Sequence, residues 1–236
     1  MKISEPLHQT LHLFRTALAI VRLPKVRLHF DQPAAPHEAR KVYKNFNRRH
    51  TRYLVIRNKT LGIALIDLSN FNSPDEYTDT VKKKDYAAFH AKNARKRGYT
   101  VRTINRNDFI DEIFDINISS DMRQGRPMDQ AYLVRQTHYE EKAPYQCFGV
   151  FDKEAKLVGY CNVGFFGNFA STDRLLGYKR NDGAMYLLLV DIICLLITQH
   201  QLDYFMYDTF MGAQPGLQSF KKRIGFAPYR VSYSIA

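Results

Sequence analysis

LDYFMYDTFMGAQPGLQSFKKRIGF, residues Leu202 to Phe226, sets the reading of this 236-residue chain. Alternating apolar and aromatic residues over 203–208 predict a buried strand. Gly212 and Pro215 then break the backbone pattern, and residues 216–223 have the spacing of one short basic helix. Gly225 stands where a left-handed cap would end that helix, and a strand re-enters at 226–235. Strand, helix and re-entrant strand in this order form a crossover against a sheet.

Working back from that unit, the order of elements is regular as far as Tyr99. The pattern predicts a strand at 99–104, a helix from Asp108 to Ile118 and an irregular segment through Pro144. Strands follow at 145–151, 157–166 and 172–178, then a helix at 183–199. Antiparallel strands followed by a crossover give an α/β fold with a mixed, mostly antiparallel sheet flanked by helices. The longest apolar run, Ala184 to Ile197, is interrupted by Asp191 and is shorter than the roughly 18–20 residues of a membrane span, so a buried helix is expected.

The first 102 residues hold 21 Lys and Arg against 8 Asp and Glu, while the remainder holds 14 against 15, so the net charge of +12 is entirely N-terminal. Most of it lies in two clusters, Arg40 to Lys59 and Lys82 to Arg97. Such a field attracts polyanions (RNA including tRNA, an acyl-carrier protein, anionic lipid headgroups at a membrane surface) or serves only as a solvated face. Leu7, Leu11, Phe14, Leu18 and Val21 recur at helical spacing before Pro24, as an amphipathic helix that would dock on the core or lie at an interface. Tyr53–Arg57 and Leu61–Leu68 suggest a hairpin, and Ser73 or Asp75 would cap a single basic helix over 76–97 ended by Gly98. The expected organisation is a basic N-terminal region (1–75), a basic connecting helix (76–98) and an α/β domain (99–236).

The element order from Tyr99 onward resembles the GNAT acyltransferase fold, and GLQSFKKRIGF together with HAKNARKRGYTV is similar to the FemAB/FemX-like branch of that superfamily. The resemblance implies a donor lying between two splayed central strands and an amine acceptor approaching from the opposite side. It implies an acyl-CoA donor lined by Leu176, Gly177 and Tyr178, with a phosphate-binding helix start at Arg180-Asn181-Asp182-Gly183-Ala184-Met185. That segment carries the Arg and first Gly of the superfamily pattern, but Met185 stands where a small residue belongs. An acid at a helix start also competes for the amides that would hold a phosphate; Asn181 or Asp182 could instead be a plain helix cap.

Where many GNAT acetyltransferases carry a Tyr that protonates the departing thiolate, this chain has Phe220, which has no proton to give. Phe220-Lys221 fits the FemX-like branch, and the resemblance places Lys221 near the donor; Lys221, Lys222 and Arg223 equally complement a helix C-terminus. The attacking amine must lose a proton, which makes Asp208 and Tyr207, at the end of a central strand, candidate catalytic groups. Arg123, Arg126 and Tyr132 fall in or beside the loop expected over the acceptor, and suit a carboxylate or phosphate on a substrate.

These expectations describe a cytoplasmic N-acyltransferase using acyl-CoA. The alternatives are a FemX-like enzyme using aminoacyl-tRNA, or an RNA- or membrane-associated protein that keeps the fold without the chemistry. Cys147, Cys161 and Cys194 show no CxxC pairing and read as free thiols. The histidines are scattered, with only His8 and His12 at helical spacing, so no metal site is expected. Absence of a GxSxG elbow and of a GxxxxGK[ST] loop argues against serine-hydrolase and P-loop chemistry.

Overall fold

The computed structural model describes residues 20–49, 57–123, 126–180 and 182–236. Ten strands and seven α-helices are laid out there. In chain order they are β1 (Lys25–Phe30), α1 (Pro36–Asn47), β2 (Ile63–Asp67), α2 (Pro74–Thr80), α3 (Ala87–Lys96), β3 (Thr100–Ile104) and α4 (Ile110–Ile118). The short pair β4 (Met122–Arg123) and β5 (Arg126–Pro127) precedes α5 (Gln130–Leu133). Then come β6 (Tyr145–Phe151), β7 (Leu157–Phe166), β8 (Phe169–Gly177), α6 (Ala184–Gln199), β9 (Tyr204–Thr209), α7 (Pro215–Ile224) and β10 (Ala227–Ile235).

Eight of the strands form one sheet in the order β1-β10-β2-β9-β8-β7-β6-β3. β3, β6, β7 and β8 form an antiparallel run, β8 and β9 are parallel, and β2 lies antiparallel to both β9 and β10. The mixed α/β architecture inferred from the strand pattern is present. α6 is apolar nearly all round, and Leu187, Leu188, Leu189, Ile192, Ile193 and Leu196 are buried against the sheet and the N-terminal helices. Its one acidic residue, Asp191, is ion-paired with Arg95 of α3, and burial raises its pKa.

Two local expectations are corrected. The strand within 61–68 has its two edges taken by β9 and β10, both from the far end of the chain, and the expected hairpin partner lies almost wholly outside the described residues. Of 53–57, only Arg57 is described; it makes a single bridge to Arg49. The continuous helix over 76–97 is two helices. Val81 closes α2 in a non-helical conformation, Asp85 takes a φ of 67°, and α3 restarts after Tyr86. Its two ends behave as the residue types dictate: the Ser73 hydroxyl accepts from the Glu76 amide, and Gly98 has a φ of 84°. The proposed amphipathic helix at 7–21 lies almost wholly outside the described residues.

The N-terminal strand is tied to the centre of the sheet by the turn between β7 and β8. Asn168 Oδ1 accepts from the His29 amide at 2.7 Å, its Nδ2 donates to Asp203 at 3.0 Å, and its carbonyl accepts from the Asp203 and Tyr204 amides. Beside it Gly167 has a φ of 63°, and a Cβ there would collide with the carbonyl oxygen of His29. Beneath this junction Phe30, Phe166 and Phe169 meet edge-on or tilted, at 5.1–5.6 Å between ring centres. Gly167→Ala is expected to cost about 1–3 kcal/mol, since strained backbone and a blocked main-chain approach act together. Chemical denaturation of the variant against the parent measures it, and an unchanged midpoint would refute the docking of β1 on this turn.

Candidate active site

β8 and β9 pair over only three residues each, Phe169–Ser171 with Tyr204–Met206. Beyond that point β8 runs on to Gly177 and β9 to Thr209 without facing each other in a ladder, which opens a splay in the middle of the sheet. A bulge in β9 accompanies the opening. Thr209 pairs with Ile63 and Met206 with Leu65, so one extra residue is accommodated opposite Ala64, and Asp208 takes a φ of 50°. Two hollows flank the splay. One, of about 210 Å³, is lined by Lys59, Tyr145, Ser171, Asp173 and Asp208. The other, of about 270 Å³, is mainly apolar and is lined by Leu176, Gly177, Met185, Leu217 and Phe220. Arg123, Leu175 and Tyr207 line both, so the two meet at those side chains.

No protein-family model and no curated protein matches the chain. Solved structures do. FemX aligns with a TM-score of 0.53 at 12% identity over 94% of this chain and 74% of FemX. A conserved protein of unknown function from Bacteroides thetaiotaomicron aligns with a TM-score of 0.51 at 15% identity over 74% of this chain and 61% of that one. The C-terminal domain of a putative lysylphosphatidylglycerol synthetase from Agrobacterium fabrum aligns less well, with a TM-score of 0.47 at 14% identity over 70% and 57%. This chain spans only about three fifths of the length of the first structures it matches. The chain has the GNAT fold.

Within the GNAT fold, α7 places Lys221 directly behind the splay. The side chain is 1% exposed, and its Nζ donates to the carbonyls of Tyr207 at 2.8 Å and Thr209 at 2.6 Å, with the Tyr207 ring 4.3 Å away. These carbonyls belong to the β9 segment that has left its β8 neighbour, so the ammonium supplies donors where the ladder has ended. Burial, aided by the nearby Lys59 charge, brings the Lys221 pKa down to about 7. Lys221 lines neither hollow; Tyr207 and Asp208 are what it positions. Burial keeps the Tyr207 phenol well above its ordinary pKa, hence protonated. Asp208 is ion-paired to Lys59, whose own pKa falls to about 8 through burial and the charge of Arg126.

At the far end of the apolar hollow, Gly183 begins α6 with a φ of 82°. Asp182 Oδ1 accepts from the Ala184 amide at 3.0 Å, and its Oδ2 accepts from the Tyr99 hydroxyl at 2.8 Å. Its carbonyl accepts from Arg97 at 3.0 Å. The carboxylate therefore caps the helix start that a phosphate would otherwise use. The space around it is also filled. A Cβ at Gly183 would lie 2.7 Å from the His90 carbonyl oxygen, and Met185 sits over the paired Gly159 and Gly177, where even a methyl group on Gly177 would collide with its sulfur. Leu176 and Gly177 line the hollow, the Arg180 guanidinium stacks on the Tyr178 ring at 5.1 Å, and Asn181 lies outside the described residues.

Of the loop residues, Arg123 is held by the Tyr132 hydroxyl, which accepts from its Nη1 at 2.9 Å, and points to the junction of the hollows. Arg126 is largely exposed and pairs at 3.4 Å with Asp129. The residues that sequence reasoning left out of the site are Lys59, Tyr145 and Asp173. Lys59 stood in a basic cluster whose place in the sheet no local pattern reveals. Asp173 stood in a predicted strand, where the bulge that turns it into the hollow leaves no signal in the side-chain alternation.

The Lys221 pKa has a signed consequence. Between about pH 7 and its ordinary 10.5 an unfolded chain binds a proton at this lysine that the folded chain does not, so stability rises with pH in that window. Lys59 adds to the rise from about pH 8. The expected slope is at most about 1.4 kcal/mol per pH unit per proton. Urea denaturation at pH 6.5 to 7.5, below the value of about 8.5 near which unfolded thiols ionise, should show the rise in the parent and a flatter profile in Lys221→Met. Identical profiles would show that Lys221 is fully charged in the folded protein.

Proposed function

We propose that the chain is a transferase that moves an acyl group from an activated ester to an amine, with an aminoacyl ester such as the 3′ end of aminoacyl-tRNA as donor. The observation that carries the choice of donor is the Asp182 carboxylate seated on the α6 start. A CoA pyrophosphate bound there would meet a like charge and the Ala184 amide already engaged, a penalty on the order of 1 kcal/mol or more. Met185 adds to this by filling the cradle that small residues would leave open. The second support is the protonated Tyr207. A phenol held above its ordinary value is poorly matched to a departing thiolate, whose thiol ionises near about 8.5, and better matched to the more basic alkoxide of a ribose ester.

In this reading the donor carbonyl lies where the two hollows meet, beside Arg123 and Tyr207. The amine attacks from the polar hollow, the ester C–O bond breaks, and Tyr207 supplies the proton taken up by the leaving oxygen. Arg123 faces the developing oxyanion, and Lys221 acts by fixing the β9 carbonyls that hold Tyr207 and Asp208 in place. The exposed N-terminal basic residues Arg40, Lys41, Lys44, Arg48 and Arg49 suit a polyanionic donor.

Acyl-CoA is the second reading, favoured by Lys179 at the edge of the apolar hollow and Arg180 just after it, which could meet phosphates. Calorimetry separates them. An RNA minihelix charged at its 3′ end should bind with a steep salt dependence, and CoA should bind at least about 10-fold more tightly to Asp182→Ala than to the parent. Tight CoA binding by the parent, unchanged in Asp182→Ala, would refute the ester assignment. Tyr207→Phe should lower transfer by about 10²- to 10⁴-fold with little change in donor binding, the loss typical of a general acid; a rate within about 2-fold of the parent would remove Tyr207 from the chemistry.

A further inference from the structure

A third cavity, a cleft of about 640 Å³, shares Tyr145 and Asp173 with the polar hollow and extends it outward from the splay. Its floor is shaped by a second bulge. Asn162 pairs with Arg174 and Val163 with Thr172, which leaves Asp173 as the extra residue of β8. In a regular strand consecutive side chains point to opposite faces. Here both Asp173 and Arg174 line the cleft, as a bulge that re-aims a side chain permits.

The two charges are side by side and largely uncommitted to each other. Arg174 Nε lies 4.0 Å from Asp173 Oδ2, too far for a direct hydrogen bond, and the guanidinium is steadied 5.2 Å over the Tyr132 ring. The other described cations of the cleft have closer acidic partners. Arg106 donates to Glu141 at 2.6 Å, Lys142 pairs with Glu140 at 2.7 Å, and Lys41 with Glu38 at 3.8 Å. Behind Asp173 sits Asn162, 3% exposed. Its Nδ2 donates to Asp173 Oδ2 at 3.1 Å, which fixes the amide's orientation, and its Oδ1 is buried with no hydrogen-bond partner among the described residues. An unspent acceptor beside a carboxylate calls for a ligand that brings several N–H donors.

We propose that Asp173 and Arg174 form the acceptor subsite, and that the acceptor is a free α-amino acid. Its ammonium sits on Asp173 and Asn162, and its carboxylate sits on Arg174. A carboxylate and a guanidinium this close match a ligand whose own opposite charges are one carbon apart, and a longer zwitterion would need them farther apart. The inference rests on the transferase reading for its chemistry. There, the ammonium passes one proton to Asp173 and the resulting α-amine attacks the donor carbonyl; an N–C bond forms, the nitrogen gives its second proton to solvent, the ester C–O bond breaks, and the leaving oxygen takes a proton from Tyr207, which regains one by way of solvent from Asp173.

Binding is read without any donor, by calorimetry on the full chain with L-alanine and L-leucine, their decarboxylated counterparts ethylamine and isopentylamine, and the N-acetylated amino acids. The parent should prefer each amino acid by at least about 10-fold over both of its derivatives, the discrimination of one charge-assisted contact. Arg174→Met should erase the preference over the amine while circular dichroism stays unchanged, Arg174→Lys should restore part of it, and Asp173→Asn should erase the preference over the N-acetyl form. Equal binding of amino acid and amine by the parent, absence of binding by all probes, or a preference untouched by Arg174→Met would each overturn the assignment. Failure to transfer from any donor would count against the transferase reading and leave zwitterion binding standing. Transfer to simple amines without preference for a carboxylate would count against the acceptor assignment alone.

Discussion

Two parallel strands that stop pairing in mid-sheet create the central problem of this fold. A backbone that leaves its ladder inside a protein exposes carbonyls and amides that burial makes costly, of the order of 1–3 kcal/mol for each group left without a partner. The chain answers on the β9 side with a single lysine. Lys221 reaches from α7 to the Tyr207 and Thr209 carbonyls, and in doing so it is drawn into surroundings that pull its pKa toward neutrality. The opening between β8 and β9 is stable because this ammonium stands in for a strand. The same contact fixes Tyr207, one of the three side chains common to both hollows.

Bulges then convert the opening into chemistry. In β9 the extra residue gives Asp208 its left-handed backbone and brings it to Lys59. In β8 the extra residue brings Asp173 and Arg174 onto one face. Each bulge lies where the strand leaves or is about to leave its neighbour, so the irregularities that end the pairing are also what re-aim the polar groups. The proposed acid and base roles divide by environment. Tyr207 is desolvated and stays protonated, whereas Asp173 is half exposed beside a guanidinium.

The legible parts of the sequence were those governed by local periodicity. The strands over 145–166, the buried helix that follows Gly183 and the crossover ending at Gly225 all follow from alternation, apolar runs and cap residues, and their observed bounds differ by a residue or so. The break between α2 and α3 was missed because Asp85 and Tyr86 are only mildly poorer helix formers than the Lys and Ala around them and no Gly or Pro marks the spot; the interruption comes from the backbone at Val81 and Asp85, and Tyr77 of α2 is held separately, its hydroxyl donating to the Ile224 carbonyl 147 positions away. β2 was assigned to the wrong partner for the same reason. Its apolar run says that it is buried on both sides, and nothing in Ile63 to Asp67 says that the flanking strands come from the far end of the chain. Lys221, Tyr207 and Asp208 could be read together because they sit in one short segment, while Lys59 joins them only through the sheet.

The α6 start shows how one substitution pattern can redirect a shared scaffold. A helix N-terminus offers unpaired amides and a partial positive charge to whatever anion reaches it first. Asp182 is covalently adjacent to those amides, so its local concentration exceeds that of any dissolved phosphate. Tyr99 and Arg97 tether the same residue, through its carboxylate and its carbonyl, and so discourage it from swinging away. Met185, in turn, occupies the volume above the Gly159–Gly177 pair beside this helix start. Charge, tether and volume thus act in the same direction at one helix end. A donor for this site would therefore be one that enters the splay with its ester carbonyl and makes its phosphate contacts elsewhere on the basic N-terminal surface.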